Sequence, residues 1–195
     1  MKAIIIIVLC YIIGSIPFSY LFGRYFGKVD IRSKGSGNIG ATNVLRTSGA
    51  FLAGASLLAD LIKGVLAAWL GMLWGGPALA AGCGLAAVLG HCYPVFLRFR
   101  GGKGVSTSAG VILYLLPGVF LVLLTTFILV TFISRYVSLA SLSAAIIFPF
   151  VTIGVARDWY YIILSLLMGV LVIYRHRANI LRLRNGLESK IGSGT

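Results

Sequence analysis

The chain has 195 residues, of which 59% are hydrophobic and only 11% charged, with a mean hydropathy of +1.01 and a net charge of +13. An ordinary soluble domain carries about 25% charged residues, so a soluble fold is excluded. Nucleic acid is a poor partner despite the charge, because the basic residues flank apolar runs and no soluble fold remains to carry them; anionic lipid and anionic substrates fit better.

Apolar runs occur at 3–23, 50–74, 77–97, 105–133, 137–156 and 159–174. A hydrocarbon core of roughly 30 Å takes about 20 helical residues to cross. Met1-Lys2 and the run behind it mimic a signal peptide, but no A-x-A-like cleavage site follows, so this is read as an uncleaved first span. The run 105–133 is too long for one span and carries the turn signal Pro117-Gly118. Splitting it there gives an all-α integral membrane protein of seven spans in a single membrane-embedded domain, 1–195. The piece 105–116 would be about 18 Å long as a helix, too short to cross alone. A short helix in a bundle points to an anion-binding site at its N-terminus.

Parity sets the orientation. Arg24, Lys28, Arg32, Lys34 and Arg46 form one basic cluster, Arg98, Arg100 and Lys103 a second, and Arg175, Arg177, Arg182, Arg184 and Lys190 a third. Seven spans with the N-terminus out and the C-terminus in put all three on the cytoplasmic side, with Arg135, and leave Lys2 and Arg157 outside. The tail from 175 is basic and amphipathic, which suits a helix lying in the interface.

Between the first two spans lies Lys34-Gly35-Ser36-Gly37-Asn38-Ile39-Gly40-Ala41-Thr42-Asn43-Val44-Leu45-Arg46, a loop rich in glycine and hydroxyls. Its glycines let backbone N–H groups converge, and its side chains add donors suited to phosphate. The spacing Gly35-x-Gly37-x-x-Gly40 matches a dinucleotide fingerprint, but no strand precedes it and no βαβ unit surrounds it. Gly101-Gly102-Lys103-Gly104 resembles half of a nucleotide-binding loop without the Ser or Thr after its Lys. Three glycines around one Lys at a helix start argue for an anion nest with a point charge.

Asp60 and Lys63 fall three residues apart in a span, and either a self-neutralising pair or a site wall fits. His91 reads as packing or capping. His176 and Asn179 share a helix face among arginines, ahead of Glu188 and Lys190. Ser138 and Ser141 share a face at the start of the sixth span, where most serines bond to their own helix. Cys10, Cys83 and Cys92 sit in apolar runs without CxxC spacing and read as reduced packing residues. Neither histidine has the H-x4-D spacing, and G-x-S-x-G, HExxH and aspartate-rich motifs are absent. Four acids make a metal site improbable.

Three segments resemble the bacterial acyl-phosphate:glycerol-3-phosphate acyltransferases of phospholipid synthesis: residues 35–46, Gly101-Gly102-Lys103-Gly104-Val105, and the tail running from Arg175-His176-Arg177 through Asn179, Ile180, Arg182, Leu183, Gly186 and Glu188 to Lys190. Asp60-Leu61-Ile62-Lys63-Gly64 looks like that family too. The resemblance implies a multi-pass enzyme of the bacterial cytoplasmic (inner) membrane, with seven spans and an active site facing the cytoplasm. It would move a fatty acyl group from acyl phosphate to the sn-1 hydroxyl of glycerol 3-phosphate, giving lysophosphatidic acid and phosphate. It would need no cofactor, no metal and no obligate protein partner beyond membrane lipids.

On this reading Ser36, Arg46, Lys103 and His176 are the expected catalytic residues. The expected substrate-binding residues are Gly35, Gly37, Asn38, Gly40, Thr42, Asn43, Gly102, Gly104, Ser141, Asn179, Glu188 and Lys190. An acyl phosphate is already activated, so direct transfer without an acyl-enzyme suffices. The competing class is a transporter of a phosphorylated metabolite, which would show flux across a sealed vesicle; no inverted repeat is evident to support it.

Overall fold

A computed structural model describes residues 1–156 and 158–192. Arg157, used in the charge argument, lies outside the described residues. Every regular element among them is helical: α1 (Lys2–Ser15), α2 (Phe18–Leu21) running on into a π-helical turn (Phe22–Phe26), α3 (Ala41–Ser48), α4 (Ala50–Cys92), a 3-10 turn (Val95–Leu97), α5 (Val105–Leu115), α6 (Pro117–Ser134), α7 (Val137–Val155), α8 (Trp159–Arg175) and α9 (Arg177–Arg184). The all-helical class is the expected one. Lys2–Phe26, Ala50–Leu97, Pro117–Ser134 and Val137–Val155 are each long and apolar enough to cross a bilayer, and α5 is a shorter apolar helix.

The helices break where the backbone requires it. Pro17 has no N–H to continue α1, and Ile16 before it is extended at φ −63°, ψ 116°. Gly75 (φ −166°) and Gly76 (φ 73°) interrupt α4 ahead of Pro77, making two arms, 50–74 and 77–92. The arms fold back on each other so closely that a Cβ on Gly71 would strike the Ala80 backbone. The run 77–97 ends as a helix at Cys92, earlier than the apolar pattern implied.

The described chain forms two compact units, Met1–Leu115 and Leu116–Thr195. In the first, α1, α3 and α5 all pack on α4. Small residues let backbones touch, as lipid-embedded helices require: Gly14 faces Ala87, Gly90 faces the Tyr11 carbonyl, Gly64 faces Thr107 and Gly110 faces Leu61. Cys10 and Cys83 are free, buried members of that core with Ile6, Ala67, Ala86 and Ala87. Large apolar side chains such as Leu58, Leu73 and Trp74 point outward, as lipid-facing positions do. In the second unit α7 packs between α6 and α8. The last pair, α8 and α9, bends by 57°.

Candidate functional site

The stretch 34–46 is not loop throughout. Gly40 is the N-cap of α3, so Thr42, Asn43 and Arg46 stand on a helix and the loop proper is 34–40. Short polar residues over 41–48 hid a helix whose amphipathic face buries Asn43 and Val44. Gly35 (φ 58°) and Gly37 (φ 69°) take the left-handed conformation that other residues pay to adopt.

Asn43, 1% exposed, pins this loop. Its Oδ1 accepts the Ser36 backbone N–H at 2.8 Å, and its Nδ2 donates to the carbonyls of Ile31 at 2.7 Å and Lys34 at 3.2 Å. A Cβ on Gly35 would land on that same Oδ1. Asn43, expected to touch substrate, therefore spends its amide on shaping the loop. Ser36 and Arg46 are exposed, while Asn38, Gly40 and Thr42 are half-buried. Outside the glycines, Asp30 is held by Arg32 through contacts down to 2.6 Å, and the guanidinium lowers its carboxyl to about 2.

The second glycine segment closes against the end of α4. Gly101 N–H donates to the Cys92 carbonyl at 3.2 Å and Gly102 N–H to the His91 carbonyl at 3.0 Å. Gly101, Gly102 and Gly104 are buried and Lys103 is half-buried. A Cβ on Gly102 would collide with His91 Nε2 and with the Ile39 carbonyl. Two segments about 60 residues apart in sequence thus abut, Gly102 against Ile39. Helix α5 starts at Val105, as the sequence indicated, with Ser108 N–H bonded to the Gly104 carbonyl at 2.8 Å.

Beneath the two loops lies a polar cluster. Asp60 Oδ1 is 2.7 Å from Lys63 Nζ and 3.4 Å from His91 Nδ1; Ser19 Oγ donates to Asp60 Oδ2 at 3.3 Å; Lys63 Nζ donates to the Ile16 carbonyl at 2.9 Å. Asp60, Lys63 and His91 are 1%, 3% and 8% exposed. A small cavity there is lined by Ser19, Ile39, Asp60, Lys63, His91 and Gly102 among others. The sequence exposed the Asp60–Lys63 pair but not His91, which comes from the other arm of α4 and shows its role only once the arms fold together.

In the second unit the tail closes on Glu188. Its Oε1 accepts from Ser138 Oγ at 2.8 Å and Asn179 Nδ2 at 2.7 Å, and its Oε2 from Arg182 Nε at 2.7 Å. Burial pushes the Glu188 carboxyl up, but these three hydrogen bonds and the guanidinium charge outweigh it and hold it below its ordinary value. His176, 2% exposed, sits at the α8–α9 bend. Its Nδ1 lies 2.8 Å from the Val172 carbonyl. A carbonyl only accepts, so Nδ1 carries a hydrogen, and whenever the ring is neutral the lone pair is on Nε2. Ser141 Oγ bonds to its own helix at Val137, 2.9 Å away. Lys190 Nζ lies 5.4 Å from the Tyr136 ring centre, and Ile191 N–H donates to the Arg135 carbonyl at 2.8 Å. Ser138 and Arg182, named in the sequence but not placed in the site, hold the clamp.

The family described as glycerol-3-phosphate acyltransferase matches residues 4–186. A glycerol-3-phosphate acyltransferase of Syntrophomonas wolfei is 52% identical over 191 residues, covering 98% of each chain. One of Geobacillus kaustophilus is 44% identical over 187 residues, 96% of this chain and 95% of its own. Among solved structures, a crystal structure of PlsY, an integral membrane glycerol 3-phosphate acyltransferase in its glycerol 3-phosphate form, superposes with a TM-score of 0.94 at 37% identity, covering 99% of this chain and 97% of that one. Its lysophosphatidic acid form gives 0.92 at 36% identity with the same coverage.

Proposed function

Since the chain belongs to the glycerol-3-phosphate acyltransferase family, we propose that its acyl donor is an acyl phosphate and that the acyl group passes directly to the sn-1 hydroxyl of glycerol 3-phosphate. It is a multi-pass integral membrane acyltransferase, and the transporter reading falls away. The products on this reading are lysophosphatidic acid and inorganic phosphate. The two units together serve as one acyltransferase domain. The membrane is the bacterial cytoplasmic one, crossed seven times with the N-terminus out and the C-terminus in, which keeps the basic segments and the site on the cytoplasmic side.

The observation that carries the reading is the pair of abutting glycine segments, Gly102 against the Ile39 carbonyl, with the side chains of Ser36, Arg46 and Lys103 nearby in sequence. Such a set suits a phosphate and the oxygen of a reacting carbonyl. The glycerol hydroxyl oxygen bonds to the acyl carbon. The carbon–oxygen bond to phosphate breaks and its electron pair leaves with phosphate. The hydroxyl proton goes to a substrate phosphate oxygen. His176, Asn179 and Ser141 position glycerol 3-phosphate, with His176 Nε2 as an acceptor. Gly35, Gly37, Gly40 and Gly104 shape the two segments, the Gly37 and Gly40 N–H groups bonding to the Lys34 and Asn38 carbonyls, Asn38 and Thr42 add side-chain donors, and Glu188 and Lys190 order the tail. Among the described residues no imidazole or carboxylate bonds the Ser36 hydroxyl, which favours positioning and charge stabilisation over a serine nucleophile.

The test is purified protein with acyl phosphate and glycerol 3-phosphate, assayed for lysophosphatidate, with acyl-CoA as the competing donor and chelator in a parallel reaction. Turnover with acyl phosphate, little with acyl-CoA and none of it lost to chelator is expected. Intact-protein mass spectrometry after acyl phosphate alone decides the route. A stoichiometric acyl adduct that glycerol 3-phosphate discharges at the turnover rate overturns direct transfer.

A further inference from the structure

We propose that Asp60, Lys63 and His91 are positioning residues whose cluster sets the geometry of both glycine segments, and through Gly102 the placement of Lys103. This rests on the reading of those segments as the phosphate-holding part of the site.

A pair three residues apart on one helix needs no partner beyond itself to be neutral. Here the pair reaches further. Lys63 donates to the Ile16 carbonyl just past the end of α1, which also accepts the Phe18 N–H at 3.1 Å. Ser19, from α2, donates to Asp60 on its other oxygen. Asp60 then faces Nδ1 of His91 from the second arm of α4. Three segments of chain meet on one carboxylate that is 1% exposed, and a fourth, the end of α1, is tied to it through Lys63. Burying two ions is seldom repaid in stability over an apolar replacement, and ionisable groups at membrane depth are costly. A role in geometry accounts for what stability does not.

The route from the cluster to the loops is short. The His91 ring fills the space where Gly102 would carry a side chain, with Nε2 against it, while the His91 carbonyl holds the Gly102 N–H at 3.0 Å. Asp60 at Nδ1 fixes the rotation of that ring. A ring turned away opens the space beside the Gly102 Cα, which the Ile39 carbonyl also borders; Ile39 is the residue just before Gly40 at the start of α3. One rotation therefore disturbs both segments at once. A displacement of about 1 Å costs on the order of 100-fold in rate where reacting groups must align.

The test uses full-length protein in detergent or bilayer with two kinds of variant. Asp60→Asn combined with Lys63→Met keeps the net charge and packing volume but removes both ions. His91→Asn keeps a donor toward Asp60 and loses the ring against Gly102; His91→Leu loses both. Hydrogen exchange of peptides spanning 33–40 and 99–104 is read beside thermal stability, kcat and KM. Exchange in those two stretches should rise about 10-fold or more, with α1, α4 and α5 unchanged, and kcat should fall by about 10- to 100-fold. His91→Asn should retain more activity than His91→Leu.

Unchanged exchange in both loops in either kind of variant overturns the proposal. So does a uniform rise in exchange across α1 and α4 with a matching loss of thermal stability, which would make the cluster structural only. If the double variant does not fold, His91→Asn decides by the same two readouts. Faster loop exchange with unaltered kcat upholds the positioning and overturns the phosphate-loop reading instead, as would wild-type activity in Lys103→Ala.

Discussion

Asp60 in the first unit and Glu188 in the second each gather three polar side chains, yet they join different kinds of chain. Asp60 collects Ser19, Lys63 and His91 from separate helical segments, and its two charged-type partners are as dry as it is. Glu188 collects Asn179 and Arg182 from the adjacent helix α9, with Ser138 the distant member, and Arg182 is 40% exposed. Water can take over a lost bond at Arg182, though the Glu188 side chain is 6% exposed, but not at Lys63 or His91. The first acts as an internal joint between helices; the second latches a tail that starts and ends near solvent.

The sharpest way to break this comparison is to leave each cluster half made. Asp60→Ala leaves the buried Lys63 without its counter-ion, and stranding one partner of a buried pair costs about 3–5 kcal/mol. Thermal unfolding in detergent should show it, and a shift no larger than that of Glu188→Ala would erase the distinction. Next in size are Arg46→Ala and Lys103→Ala. Each should lower kcat/KM by about 10- to 100-fold, because a charged hydrogen bond is worth roughly 1.5–3 kcal/mol. Neither should lower the melting temperature, and Arg46→Lys should not restore the loss, since the planar fork is gone.

The latch should be weaker and pH-sensitive. Solvent screening at Arg182 limits Glu188→Gln to about 1 kcal/mol. The folded state holds the Glu188 carboxyl below its ordinary value of 4.5, so its contribution is present above that value and is lost as pH falls through the lower, folded one. Protease cutting after Arg182 and Arg184 should accelerate on acidification below about pH 4.5 in the wild type, and Glu188→Gln should flatten that step. Smallest of all is Asp30→Asn. The Asp30–Arg32 pair is short but exposed, and a melting curve that overlays the wild type is expected.

The helices were legible because apolar length and Pro or Gly punctuation are local signals. Pro17, Gly75-Gly76-Pro77 and Leu116-Pro117 all mark real ends. Helix α3 was not, because its hydroxyl and amide residues favour loops and its apolar face is only a turn or two long. The glycine segments and Asp60–Lys63 stood out as polar text in an oily chain. What could not be read was pairing at a distance. Nothing near His91 in sequence indicates that it meets Asp60, 31 positions away, nor that Asn43 turns its amide back on residues 31–36. Ser138 looked like Ser141, and only the tail's return separates a serine bonded to Glu188 from one bonded to its own helix.

The tight fold-back at Gly75-Gly76 bears on biogenesis. A turn of so few residues leaves no polar stretch on which the translocation machinery could pause between the two arms of α4. On the seven-span reading they are expected to enter the bilayer together, as one hairpin. That suits the cargo the first arm carries: Asp60 and Lys63 arrive already neutralised by each other, and His91 reaches them in the same insertion event.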